Sequence, residues 1–146
     1  MDNLSDIEIL LVEDNPNDAE MALRALKQNN LSNEVLIVGD GEEALDYLYS
    51  RGKYADKCPD HHPKIILLDL KLPKVDGKEV LRILKNDPEK KIIPVIVLTS
   101  SQEESDILET YTLGVNSYIV KPVDFDNFVD AVREIGLYWL LLNQQF

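Results

Sequence analysis

Residues 65–77, IILLDLKLPKVDG, constrain the fold more than any other part of the chain. The segment opens with an apolar run that Asp69 interrupts, and such a run is typical of a strand buried on both faces of a parallel sheet. An unpaired carboxylate in the core is costly, so we expect Asp69 to lie at the strand's carboxyl end beside compensating groups. Pro73 and the Asp76-Gly77 pair then predict a loop. We interpret Asp69 as a functional carboxylate.

The pattern of a strand followed by a helix occurs five times along the chain. The predicted strands are residues 7–12, 35–38, 65–70, 92–98 and 117–120. The predicted helices begin at Pro16, Glu42, Lys78, Ser101 and after Asp124, with Asn15 and Asp124 as amino-terminal caps. Such alternation predicts an α/β fold with a parallel sheet covered on both faces. Ligands of these sheets bind beyond the carboxyl ends of the strands.

Polar residues stand at four of those five strand ends. They are Glu13, Asp14, Asp69, Thr99 and Lys121. Carboxylates suit Mg²⁺, an aspartate can attack phosphorus, and a metal and an ammonium can neutralise a phosphoryl group. Any one of these residues alone is usually solvated surface. Their agreement at four strand ends favours a site for a metal and a phosphoryl group.

Composition narrows the class of protein. The net charge of -12 argues against binding to nucleic acid, which needs clustered basic residues. A chain of 146 residues with 45% hydrophobic content predicts a single domain over residues 1–146. A lone cysteine, no leader-like amino terminus and no apolar stretch near the roughly 20 residues of a membrane span predict a cytoplasmic protein that does not bind membranes.

A long polar connection, residues 52–63, contains Cys58, His61 and His62. These side chains raise the alternative of a structural zinc site. With one cysteine and no fourth ligand nearby, a solvated loop is the favoured interpretation.

Four motifs together carry a family resemblance. They are LLVEDN at 10–15, LLDLKLPKVDG at 67–77, VLTSS at 97–101 and YIVKPVD at 118–124. On these motifs the chain resembles a response-regulator receiver domain, the phosphoacceptor of two-component signalling. The resemblance implies a flavodoxin-like (βα)5 three-layer sandwich. It also implies the strand order 2-1-3-4-5 of that family.

The resemblance implies a role for each acidic residue. Asp69 is the phosphoacceptor, and it binds Mg²⁺ directly together with Asp14, while Glu13 assists through water. Lys71 supplies its backbone carbonyl to the metal, for which Mn²⁺ or Ca²⁺ could substitute.

Further roles fall on the last two strands. Lys121 contacts the phosphoryl oxygens, and the Lys121-Pro122 bond is expected to be cis. The Thr99 hydroxyl and the Tyr118 ring form the family's switch.

The tail extends beyond the usual end of a receiver. We expect the last helix to run on through residues 136–146, leaving Tyr138 and Leu141 to meet a partner, unless the tail folds back on its own domain. The ending YWLLLN resembles small single-domain regulators paired with phytochrome-type histidine kinases. We therefore expect such a kinase as partner, and a homodimer through the helix from Ser101, the strand 117–120 and the helix after Asp124.

The resulting hypothesis is a stand-alone response regulator without an output domain. It accepts a phosphoryl group from a sensor histidine kinase on Asp69, with Mg²⁺, and switches its partner surface. It catalyses only its own phosphorylation and dephosphorylation. The enzyme alternative is a phosphatase or phosphotransferase, which normally needs an acid two residues after the nucleophile, where Lys71 stands. A third alternative is an interaction module that is never phosphorylated.

Overall fold

The computed structural model describes residues 7–27, 34–99 and 114–136. The strands are β1 Ile9–Val12, β2 Val35–Val38, β3 Ile65–Asp69, β4 Val95–Thr99 and β5 Ser117–Val120. The helices are α1 Pro16–Lys27, α2 Gly41–Leu48, α3 Gly77–Lys85 and α4 Phe125–Glu134. Two 3₁₀ turns, Gly52–Tyr54 and Lys90–Ile92, precede β3 and β4. No helix in these three ranges is both long enough and apolar enough to span a bilayer.

All five strands are parallel, and their order is β2-β1-β3-β4-β5. This is the flavodoxin-like order, so the expected fold is confirmed. The chain builds outward from β1 in both directions, with β2 on one side of it and β3 on the other. The carboxyl ends of β1 and β3 therefore meet at the point where the strand order reverses, which is where such sheets place their ligands.

Two hydrophobic cores lie on opposite faces of the sheet. Leu10 and Val12 of β1 pack with the buried side chains of α2 and α3, whereas Ile9 and Leu11 pack with those of α1 and α4. Each central strand is thus apolar at nearly every position because both of its faces are covered. The result is three layers, helix, sheet and helix, which hold the strand ends in fixed relative positions.

Side chains cap the helices that lead away from the strand ends. The Asn15 side chain accepts hydrogen bonds from the backbone N–H of Asn17 at 2.9 Å and of Asp18 at 3.0 Å, as predicted for the start of α1. Asp76 caps α3 by accepting from the Lys78 N–H at 3.2 Å. The expected loop therefore ends at Asp76, and Gly77 is the first residue of α3.

The predicted start of β4 was wrong. Residues 92–94 were assigned to the strand, but β4 begins at Val95 and Ile92 closes a 3₁₀ turn with 75% of its surface exposed. Pro94 has no N–H to give to a neighbouring strand, so the ladder cannot extend back through it. The apolar, β-branched pattern of residues 92–98 does not show where within the run the strand begins.

The connection before β3 is not solvated throughout, which corrects the loop interpretation. Tyr54 and Lys57 are buried in it. The Tyr54 ring meets the Tyr47 ring edge-on at 5.3 Å, and its hydroxyl donates to Glu43 Oε2 at 2.6 Å. Lys57 Nζ donates to the backbone carbonyls of the same loop, and Cys58 is exposed. The loop is packed onto α2 at the edge of the fold.

The last helix ends earlier than the sequence suggested. Helix α4 stops at Glu134, and Gly136 has a φ of 77°, the left-handed conformation that commonly closes a helix. The expectation of an unbroken helix through this point was therefore wrong. Tyr138 and Leu141, and the helix predicted from Ser101, lie outside the described residues.

Candidate functional site

The five polar residues predicted at strand ends lie along the carboxyl edge of the sheet. Glu13 and Asp14 directly follow β1, Asp69 is the last residue of β3, and Thr99 is the last residue of β4. Lys121 directly follows β5, and its backbone N–H donates to the Thr99 carbonyl at 2.7 Å. The parallel sheet is what brings these residues, far apart in the chain, to one edge.

Three carboxylates form a compact acidic cluster. Glu13, Asp14 and Asp69 each offer an oxygen, and these oxygens lie within 4.8 Å of one another. Glu13 and Asp69 are buried, at 3% and 6% exposure, while Asp14 is exposed. An all-oxygen set that opens to solvent on one side suits a hard divalent cation that keeps water ligands.

The Lys121 ammonium is the cation that partners these acids. Its Nζ lies 2.7 Å from Glu13 Oε1, 2.9 Å from Asp69 Oδ2 and 3.2 Å from Asp18 Oδ2. Burial alone would lower the pKa of Lys121, but the bonds to Glu13 and Asp69 outweigh it and raise that pKa. Lys121 therefore stays charged and compensates carboxylates that burial would otherwise destabilise.

The two carboxylate oxygens of Glu13 have different partners. Its Oε2 accepts from the Asn15 N–H at 3.1 Å, whereas Oε1 forms an ion pair with Lys121 Nζ at 2.7 Å and accepts no hydrogen bond of good geometry within the described ranges. Burial raises the pKa of Glu13 to about 7, with Lys121 opposing the rise and Asp69 adding to it. A second cation beside this buried carboxylate would stabilise its ionised form, and the three carboxylate oxygens are the ligands that a hard divalent cation prefers, so the residues present suit the cation that the acidic cluster implies.

The Asp69 side chain is held from both sides. The Lys71 N–H donates to Oδ1 at 3.2 Å, and Lys121 Nζ donates to Oδ2 at 2.9 Å. The loop after β3 also folds back tightly, since the Gly77 N–H donates to the Leu70 carbonyl at 2.9 Å. A side chain at Gly77 would collide with the backbone of Asp69 and Leu70. The orientation of the carboxylate thus depends on a short, closely packed turn.

The residues expected to form a switch lie on neighbouring strands. Thr99 is buried at the end of β4, and Tyr118 on β5 is 37% exposed. Their strands are paired in register, with Thr99 opposite Val120 and Val97 opposite Tyr118. The Lys121-Pro122 peptide bond is cis, which is the isomer that the resemblance implies.

Two residues of the site were missed by the sequence reasoning. Asp18 contacts Lys121, and Gly77 permits the turn after Asp69. The sequence signal for Asp18 was its place in the first turn of the helix that follows Glu13 and Asp14. An acid at such a position is usually explained by its favourable interaction with the helix dipole. The signal for Gly77 was its place directly after a capping aspartate.

Comparison with known proteins identifies the family. Residues 9–133 match the model of the response regulator receiver domain. The chain belongs to this family. Response regulator Rcp1 of Synechocystis sp. is 41% identical over 132 residues, which are 90% of this chain and 88% of Rcp1.

Solved receiver structures show the same fold. The bacteriophytochrome response regulator RtBRR is 51% identical with a TM-score of 0.84, over 91% of this chain and 80% of RtBRR. The phosphorylated cyanobacterial phytochrome response regulator RcpA is 44% identical with a TM-score of 0.75, over 92% and 94%. The Mn²⁺-bound form of Rcp1 is 40% identical with a TM-score of 0.75, also over 92% and 94%.

Family membership fixes the general function. This receiver is a signalling protein of a two-component system and not a conventional enzyme. Receiver domains bind a divalent metal, and the cluster of Glu13, Asp14 and Asp69 provides the oxygens for one. Membership also implies a histidine kinase as partner.

Proposed function

We propose that this receiver accepts a phosphoryl group from a sensor histidine kinase on Asp69. The observation that carries the proposal is the setting of Asp69, a buried carboxylate held by the Lys71 N–H and the Lys121 ammonium beside two further acids. Asp14 and Asp69 bind Mg²⁺ directly, Glu13 assists through water, and the Lys71 backbone carbonyl completes the protein ligands. The same site catalyses hydrolysis of its own acyl phosphate.

The proposed transfer is a substitution at phosphorus. An Asp69 carboxylate oxygen forms the new O–P bond while the P–N bond of the kinase phosphohistidine breaks, and the histidine nitrogen keeps the electron pair of that bond. Bound Mg²⁺ supplies positive charge to the phosphoryl oxygens. Lys121, charged and already within 2.9 Å of Asp69, supplies a second positive charge. Because the Lys71 N–H holds Oδ1 of Asp69 at 3.2 Å, the nucleophile needs little reorganisation.

The proposed readout uses Thr99 and Tyr118. The Thr99 hydroxyl turns toward the phosphoryl group, and the space it leaves lets Tyr118 move from its half-exposed position inward. The support for this step is positional: Thr99 is buried at the strand end beside β5, and Tyr118 is 37% exposed on β5. Phosphorylation would then change the surface beside β5.

The proposed partners follow from the relatives. RtBRR, RcpA and Rcp1 are similar over most of this chain, and the first two are described as regulators of bacteriophytochrome and phytochrome systems. We assign this receiver a phytochrome-type kinase in the cytoplasm. We also assign it a homodimer through β5, α4 and the helix predicted from Ser101, with Tyr138 and Leu141 in the contact between the two subunits. The net charge of -12 disfavours nucleic acid.

Acetyl phosphate provides a direct test of the phosphoacceptor. With Mg²⁺, the wild type should gain a phosphoryl group that alkali removes, and chelating the metal should prevent the reaction. Asp69→Asn should not react. Asp76→Asn is the matched control, since Asp76 is exposed and asparagine also caps helices. Equal reaction of wild type and Asp69→Asn would refute the assignment.

Light scattering tests the dimer. Wild type at tens of micromolar should scatter as a dimer and Leu141→Glu as a monomer. A monomeric wild type would refute this part of the proposal.

A further inference from the structure

Asp18 is the third acid that contacts Lys121, and the proposed reaction gives it no role. Its Oδ2 accepts from Lys121 Nζ at 3.2 Å, although the two residues are 103 positions apart in the chain. The Asp18 side chain is 33% exposed, whereas those of Glu13 and Asp69 are 1% and 8% exposed. Among the three acids that contact the ammonium within the described ranges, Asp18 is therefore the most exposed to solvent.

A bound metal and the Lys121 ammonium would draw on the same two carboxylates, those of Glu13 and Asp69. Without a metal, Lys121 neutralises Glu13 and Asp69 through contacts of 2.7 and 2.9 Å. A divalent cation held by those carboxylates takes over that neutralisation and repels the ammonium. Lys121 is mostly buried, with 13% of its side chain exposed, so losing its partners there would leave a poorly solvated charge. Such a charge needs another acid within reach.

We propose that Asp18 is a positioning residue that holds Lys121 when the metal occupies the acidic cluster. Asp18 already contacts the ammonium. Lys121 therefore needs only to give up its contacts with Glu13 and Asp69 and keep the one with Asp18. Held there, the ammonium remains beside the reacting oxygen of Asp69 without blocking the cation. Metal binding and the placement of Lys121 are in this way coupled through one carboxylate. The inference rests on the proposed metal site.

The competing explanation is that Asp18 only stabilises α1. It is in the first turn, where an acid favours the helix dipole, and its N–H is capped by Asn15. In that case its replacement would change stability alone. If Asp18 positions Lys121, its replacement changes metal affinity, and it does so only while Lys121 is present.

Five variants of the full chain separate these explanations when titrated with Mg²⁺ alone: Asp18→Asn, Glu20→Gln, Asp18→Glu, Lys121→Ala and the double variant of Lys121→Ala with Asp18→Asn. Asp18→Asn should weaken Mg²⁺ binding by roughly three- to tenfold, the range for a partly exposed charged hydrogen bond. Glu20→Gln removes the same charge from the same helix at an exposed ion pair with Arg24 and should change affinity by less than about twofold. In the Lys121→Ala background, Asp18→Asn should have no more effect than Glu20→Gln. Asp18→Glu should recover part of the loss.

A nuclear magnetic resonance measurement follows Lys121 directly. In wild type, the ammonium signal should persist, shifted, when Mg²⁺ is added, because Asp18 still accepts from it. In Asp18→Asn the signal should broaden on adding Mg²⁺ as the ammonium exchanges with water.

The outcomes distinguish this inference from the proposed function. An equal loss of affinity from Asp18→Asn with and without Lys121 would show that Asp18 acts only through its charge, and would overturn the positioning role. Unchanged Mg²⁺ affinity in Asp18→Asn would overturn it as well, while leaving the metal site intact. A wild type that binds no Mg²⁺ would overturn the metal site and this inference together.

Discussion

Replacing Gly77 by alanine tests how far the site depends on the turn after β3. A Cβ at this position would lie 2.7 Å from Leu70 Cα and 2.8 Å from the Leu70 carbonyl oxygen, and would press on the Asp69 carbonyl oxygen. All three are backbone atoms, so no side chain can rotate away. The start of α3 must separate from the end of β3 until each contact exceeds 3.0 Å.

The energy follows from two opposing effects. Forcing an extra methyl group into a closely packed region costs about 3 kcal/mol at the upper end of the usual range, which applies because rigid backbone lies on both sides. Alanine recovers about 1 kcal/mol by restricting the unfolded chain and favouring the helix. The net loss is about 2 kcal/mol. For a chain of this size that lowers the melting temperature by roughly 4–8 °C.

Urea denaturation of Gly77→Ala and Gly39→Ala provides the comparison. A Cβ at Gly39 has no atom within 4 Å, so that variant should stay within about 0.5 kcal/mol of wild type. Gly77→Ala should also bind Mg²⁺ more weakly, because the carboxylate of Asp69 moves with its backbone. Equal stability of the two variants, with unchanged Mg²⁺ affinity, would refute the reasoning.

Three further predictions concern other parts of the fold. Tyr54→Phe removes the 2.6 Å bond to Glu43 and should cost about 1 kcal/mol in urea denaturation. Burial would raise the pKa of Glu43, but hydrogen bonds from Lys53 and Tyr54 outweigh burial and lower that pKa. The ionised carboxylate therefore stabilises the folded state fully when the pH is above 4.5, the ordinary pKa of glutamate. Glu43→Gln should therefore destabilise the protein at neutral pH, and the difference should vanish as pH falls through the lowered pKa; a constant difference would contradict this. Ile92→Ala should change the free energy of unfolding by less than about 0.5 kcal/mol, because Ile92 is 75% exposed. A destabilisation as large as that of a buried isoleucine would show that the side chain is packed.

The sequence predicted the layers well because burial on both faces leaves a strong pattern. An apolar run such as that before Asp69 has few alternatives within a chain that alternates strands and helices. The ends of strands and helices were predicted less well where backbone chemistry, and not hydrophobicity, determines the boundary. Pro94 shortens β4, and Gly136 adopts the left-handed conformation where α4 closes.

The site was predictable only in part. Residues directly at strand ends, such as Asp69 and Lys121, follow from the topology, since parallel strands bring their ends to one edge. Asp18 is on a helix, and its approach to Lys121 depends on how α1 packs over the sheet. Gly77 matters because of a close backbone approach, which no pattern of side chains records. Three-dimensional packing therefore supplied the parts of the site that residue spacing could not.

The most direct test of the account is to locate the phosphoryl group chemically. Protein treated with acetyl phosphate and Mg²⁺ is reduced with borohydride, which converts an aspartyl phosphate to homoserine, and is then digested and sequenced by mass spectrometry. If Asp69 is the phosphoacceptor, homoserine appears at position 69 and at no other aspartate. Homoserine at Asp14, Asp76 or another acid instead, or none at any position in protein that has bound Mg²⁺, would contradict it.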